Sequence, residues 1–164
     1  MVESTRAIPV ICSGIAAGLL KKIDDEYKVL LLKRSSSVLH GAWCYIGGSI
    51  EEGEKAWEAA FREIREETGI NEVSLYVSNA FDEFYSPAGN YIYKAPVFVG
   101  YVADGQNVVL NDEHSEYRWL SFEEAAETAA LPGNDEVLKI DRKTFCPQKT
   151  VRMASRSTLK EEFR

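Results

Sequence analysis

Gly47-Gly48-Ser49-Ile50-Glu51-Glu52-Gly53-Glu54, continued by Lys55-Ala56-Trp57-Glu58-Ala59-Ala60-Phe61-Arg62-Glu63-Ile64-Arg65-Glu66-Glu67-Thr68-Gly69-Ile70, is the stretch on which the reading of this chain turns. Trp57, Ala60, Phe61 and Ile64 recur at i, i+3, i+4 and i+7, which predicts a helix with one stripe against a core. Gly69 predicts its stop. At about 100° per residue, Glu63, Glu66 and Glu67 occupy an arc beginning next to that stripe, so three carboxylates share one patch. The patch sits on the last turn, where the negative end of the helix dipole prefers Lys or Arg. Like-charge pairs and misplaced end charges together cost ~1–4 kcal/mol, against a domain stability of ~5–15. A divalent cation removes that cost, and oxygen-only ligands point to Mg²⁺ or Mn²⁺. On spacing alone, a solvated acidic face neutralised by Arg62 and Arg65 fits equally well.

The loop before the helix decides between the two. Gly47-Gly48 and Gly53 let the backbone approach an anion closely, and helix N-termini favour phosphate. The spacing from Gly48 to Gly53 imitates a P-loop, but Glu54-Lys55 stands where Gly-Lys-Ser/Thr would continue. No G-x-S-x-G, H-E-x-x-H or G-x-G-x-x-G occurs, so serine hydrolase, zincin and dinucleotide-fold readings have no support.

Outward from this segment the periods alternate. Lys28 to Lys33, the alternating Val73, Leu75 and Val77, and Tyr91 to Val102 read as strands. Ala7 to Leu20 is too short and too interrupted to span a membrane and reads as buried strand. Ser86-Pro87-Ala88-Gly89-Asn90 reads as a hairpin loop. Ser121-Phe122-Glu123-Glu124 is a capping box opening a helix that ends at Leu131-Pro132-Gly133, and Asn134 caps another to about Phe145. The pattern predicts an α/β sandwich, sheet inside and helices outside.

Length and composition bound the function. The chain has 164 residues, 45% hydrophobic and 27% charged, which suits one globular domain of 1–146 with a segment of 147–164 beyond it. A net charge of -7 argues against nucleic acid as partner, since a nucleic-acid clamp needs a basic face. Charge is uneven: Arg142 to Arg164 carries seven bases and two acids, a basic C-terminal tail read as a solvated helix or frayed end. Three cysteines without C-x-x-C spacing indicate neither a disulfide framework nor a thiolate zinc site. A reducing cytoplasm is the expected compartment. Glu3 cancels Arg6 in what would be a positive leader, so no secretory signal is expected, and no membrane partner.

Gly48, Glu54, Arg62, Glu63, Ile64, Glu66, Glu67, Gly69 and Ile70 together resemble the Nudix box, G-x5-E-x7-R-E-U-x-E-E-x-G-U with U aliphatic, and every spacing is intact. One departure is Ile46, where many members have proline. The resemblance implies the Nudix α/β/α sandwich with a mixed sheet, and hydrolysis of a nucleoside diphosphate linked to another group. It implies Glu63, Glu66, Glu67 and the carbonyl of Gly47 as metal ligands, with Arg62 orienting Glu63. The segments Phe81 to Pro87 and Asp112 to Ala125 resemble members acting on nucleoside or pterin triphosphates.

The expected reaction is attack of water on phosphorus with a carboxylate accepting the proton. Glu63 is one candidate base. Glu113 is another, as base or further ligand, though Asp112 and Glu116 suit the same loop. For substrate, Arg34 and Lys33 are candidates to grip phosphate, and Phe84 and Tyr85, with Trp43, Tyr45 and Tyr91, to stack on a ring or to pack in the core. His40 and His114 read as loop hydrogen bonders. The expected partner is a small nucleotide-like molecule, and a homodimer is left open. Two other classes compete: a non-catalytic nucleotide sensor on the same fold, disfavoured because every box acid is present, and an isomerase using Cys44, for which the sequence supplies no acid partner.

Overall fold

Among the described residues eight strands form one mixed sheet with helices on both faces, as expected of an α/β/α sandwich. The structure, a computed structural model, describes residues 7–129, 131 and 133–145; the basic tail of 147–164 lies outside them. The central strand is β2 (Gly14–Ile23). It runs parallel to β7 (Tyr91–Val102) and antiparallel to β3 (Glu26–Arg34) and β5 (Ile46–Ser49). β6 (Val73–Ser86) pairs with β7, and β8 (His114–Leu120) and the short β4 (Trp43–Cys44) pair with β3.

Strand alternation sorts the core into two layers, because successive side chains on a strand point to opposite faces. Ile15, Ala17 and Leu19 pack on one face with Leu30, Leu32 and Ile46, against Ala60 and Ile64 of helix α1 (Ala56–Thr68). Ala16, Leu20, Val29 and Leu31 pack on the other, against Phe122 and Ala125 of α2 (Phe122–Thr128) and Val137 and Leu138 of α3 (Asn134–Phe145).

Three expectations shift. The single buried strand over 7–20 is two elements: β1 (Val10–Ile11) is exposed and pairs only with β7 among the described strands, and burial begins at Gly14, where β2 gains neighbours on both sides. The strand expected at 73–77 continues to Ser86, its register shifting between Val77 and Phe81, where Asn79 takes a left-handed φ of 58°. α2 ends at Thr128, short of Leu131, where its C-cap Ala129 turns extended.

The topology makes the site. β5 fills the gap beside the N-terminal half of β2, pairing Gly48 with Ile15 and Gly47 with Ala16, while β3 holds the C-terminal half from Leu20 onward. Gly47 and the box glycine Gly48 are thereby fixed in the sheet, directly before the loop that enters α1.

Candidate active site

Helix α1 is fixed at both ends by its own sequence. The Lys55 N–H donates to the Glu58 carboxylate at 2.9 Å, and Gly69, with φ of 68°, closes the helix by donating its N–H to the Arg65 carbonyl at 2.9 Å. The predicted stripe extends one turn further than its apolar residues: Ala60 and Ile64 are buried, and so are Glu67 and Thr68. The three carboxylates are therefore unlike. Glu67 is 3% exposed, Glu63 half-buried and Glu66 exposed.

Arg62 organises the two outer acids. Its Nε and Nη2 donate to the two oxygens of Glu54 at 2.8 and 3.0 Å, its Nη1 to Glu63 at 2.8 Å and Glu66 at 3.2 Å, and its Nη2 also to the Ser49 carbonyl at 2.8 Å. Every N–H of the guanidinium is used, a set of donors that lysine cannot supply. Glu54, an obstacle to the P-loop reading, is thus the anchor of the arginine, which holds its carboxyl below the usual range. Gly48 completes the arrangement: a methyl group there would run into the Glu63 carboxylate.

Glu67 has no such partner. Its Oε2 is buried without a hydrogen bond to any described residue, and burial, followed by the charges of Glu63 and Glu113, pushes its pKa up to about 9. The nearest basic group is the His114 ring, whose Nε2 stands 3.7 Å from that oxygen. Burial and the charge of Arg34 lower the His114 pKa, so the ring is neutral at pH 7 and does not offset the carboxylate. Among the described residues no three His, Cys, Asp or Glu side chains converge into a ready-made cage. An orphaned buried carboxylate oxygen beside two further acids nevertheless fits a cation, which would turn its desolvation cost into binding.

A cavity of about 250 Å³ is not lined by these acids but shares Gly48 with them, the glycine that lies against the Glu63 carboxylate. Gly47 and Gly48 line it with Arg34, Cys44, Tyr45, Asp82, Tyr93 and Asn134. Of the expected substrate residues, Arg34 reaches it, held by its own loop through Nε to the Val38 carbonyl and Nη2 to Ser36, both at 3.0 Å. Phe84 and Tyr85 do not line it. Tyr85 donates to Asn90 on the hairpin, and Phe84 stacks on Tyr93, which does line it. Lys33 turns to Glu116 at 2.6 Å and lies over Trp43. Glu113 is exposed, its carbonyl tied to the Ser35 N–H, and its charge reaches both Glu63 and Glu67.

Sequence reasoning missed Asp82, Tyr93 and the depth of His114. The histidine, expected in a loop, is 6% exposed at the start of β8, and only its neighbour Glu113 drew notice to the segment. Cys44 is buried, its thiol pushed up to about 11 by that burial and by the Glu67 charge, against the opposing charge of Arg34, and it donates toward the Leu32 carbonyl, so it is a poor nucleophile.

The NUDIX domain family model matches residues 13–139. The chain belongs to the Nudix hydrolase family. This Nudix hydrolase is 30% identical over 134 residues to a mouse asymmetrical bis(5'-nucleosyl)-tetraphosphatase, spanning 78% of this chain and 88% of that relative. It is 32% identical over 119 residues to a Nudix hydrolase of Bacillus subtilis, spanning 71% of this chain and 72% of the other. Its fold matches the Escherichia coli dihydroneopterin triphosphate pyrophosphohydrolase with a TM-score of 0.65 and 25% identity, covering 80% of this chain and 92% of that one. A Caenorhabditis elegans Ap4A hydrolase matches with a TM-score of 0.71, 20% identity, and coverage of 83% and 98%. The Nudix hydrolase is accordingly a pyrophosphohydrolase enzyme, and no described helix is long and apolar enough to cross a membrane.

Proposed function

We propose that this enzyme cleaves a phosphoanhydride bond of a nucleoside or pterin triphosphate, with Mg²⁺ as cofactor and Mn²⁺ able to replace it. The observation that carries the reading is Glu67: a buried carboxylate oxygen without a hydrogen-bond partner among the described residues, subject to the charges of Glu63 and Glu113, on the helix whose Glu63 lies against Gly48 of the cavity lining. When bound, a divalent cation supplies positive charge against the polyphosphate oxygens and lowers the pKa of the attacking water.

The chain's own residues divide the remaining work. Glu67, Glu63, Glu66 and the Gly47 carbonyl hold the cation. Arg62 keeps Glu63 and Glu66 aimed, through the bonds it makes to both. Arg34, at the cavity wall, grips a phosphate. Glu113 accepts the proton from water at its exposed carboxylate, while Glu63 is committed to Arg62. Phe84 backs Tyr93 from outside the cavity.

A second reading, cleavage of a dinucleoside tetraphosphate, is favoured by the name of the mouse relative. Mass-spectrometric identification of products from nucleoside triphosphates, dinucleoside tetraphosphates and dihydroneopterin triphosphate, each with Mg²⁺, separates the two. A nucleoside or pterin monophosphate with pyrophosphate is the expected outcome; a nucleoside triphosphate released from the dinucleotide favours the second. Tight Mg²⁺-dependent binding without any product would turn the assignment to a nucleotide sensor.

A further inference from the structure

The chemistry proposed above leaves one wall of the cavity unexplained. Asn134, the first residue of α3, is 1% exposed and lines the cavity, yet its Oδ1 has no hydrogen-bond partner among the described residues. Its Nδ2 donates to the Tyr45 hydroxyl at 2.7 Å, and that hydroxyl is also bonded to the Asp82 carboxylate. A phenol has one hydrogen, so Tyr45 accepts from Asn134 and donates to Asp82. The relay fixes the orientation of the amide, with its nitrogen spent on Tyr45 and its oxygen unspent. Asp82 lines the same cavity and, as a carboxylate, only accepts. The polar groups this wall holds out are therefore both acceptors. Tyr93, stacked on Phe84 with centroids 5.1 Å apart, gives the cavity a flat aromatic side. A volume of about 250 Å³ suits one fused ring system.

We infer that Asn134 and Asp82 read the base of the substrate, selecting a ring N–H beside an exocyclic amine, the 2-amino-4-oxopyrimidine edge shared by guanine and pterins. This rests on the reading of the cavity as the binding place of a nucleotide-like substrate. Adenine and cytosine set a ring lone pair beside their amine, and that lone pair would face the Asp82 carboxylate. Hypoxanthine keeps the N–H but lacks the amine, which leaves one buried acceptor unpaired. Such a loss reduces kcat/KM by about 10–100-fold.

The test compares GTP, ITP, XTP, ATP and dihydroneopterin triphosphate with Mg²⁺, in the wild type and in Asp82→Asn. GTP or the pterin is expected to exceed ITP and ATP by at least about 10-fold in kcat/KM, and the better of the two identifies the source of the edge. Asp82→Asn offers a donor in place of an acceptor, so the ratio of GTP to XTP should fall by about 10-fold or more, a shift that a merely structural role would not give. Equal turnover of GTP and ITP by the wild type, or a proportional loss on every base in the variant, would overturn the inference. Calorimetric binding of GMP against IMP needs no turnover. Tighter GMP binding in a protein that hydrolyses nothing would retain the base assignment while removing the hydrolase one. Should Asp82→Asn not fold, Asn134→Ser, which shortens the acceptor without adding bulk, should narrow the gap between GMP and IMP; an unchanged gap would count against it.

Discussion

Glu67 is an acid in a place that disfavours its charge, and that makes it a sensor of pH and of cations. Its ordinary pKa of 4.5 is pushed up to about 9, so below pH 4.5 it is protonated whether the chain is folded or not and contributes no pH dependence. As pH rises from 4.5 toward about 9 the unfolded chain ionises Glu67 freely while the folded one resists, so cation-free stability falls across that window. Thermal melts at pH 5, 7 and 9 in chelator should show Tm decreasing with pH in the wild type and a flatter profile in Glu67→Gln. Parallel profiles would remove Glu67 as the cause. Arg62→Lys keeps one charge but loses most of five bonds; it should cost about 1–3 kcal/mol by denaturant titration and about 100-fold in kcat. A variant with wild-type kcat would show that the aim of Glu63 does not matter.

At the scale of the element, α1 was legible because its apolar period, its glycine stop and its acids all lie within one turn-by-turn pattern. Extending the predicted stripe by one turn reaches Glu67 and Thr68, so the burial of Glu67 was implicit in the period that Trp57, Ala60 and Ile64 set. Asp82, Tyr93 and Asn134 were not legible as a set. They come from β6, β7 and α3, brought together by pairings between distant strands, and nothing in local sequence encodes which strands become neighbours. The exposed β1 escaped for the same reason, since burial depends on having a partner on each side. Two substitutions test the element. Ile64→Ala, at a fully buried position against the sheet, should cost ~2–5 kcal/mol in chemical denaturation. Gly48→Ala should leave the melting transition cooperative yet lower kcat by at least about 10-fold, because the added methyl displaces the Glu63 carboxylate. Full activity in that variant would mean that the close approach is not needed.

For the whole molecule, a net charge of -7 and an acid cluster at one side of the sheet make cation binding a contribution to stability as well as to turnover. At a cation concentration about 100 times Kd, binding to the folded state alone adds ~2.7 kcal/mol, which for a domain of this size raises Tm by about 5–10 °C. Differential scanning fluorimetry with Mg²⁺ or Mn²⁺ should show that rise in the wild type and lose most of it in Glu67→Gln. An equal rise in both would place the cation elsewhere. The most direct measurement is anomalous diffraction from crystals grown with Mn²⁺ and a non-hydrolysable nucleoside triphosphate. Anomalous peaks at ~2.0–2.3 Å from oxygens of Glu63, Glu66 and Glu67, bridging to phosphate at the mouth of the cavity, are the expected result. Ordered nucleotide with no peak at these carboxylates would contradict the account.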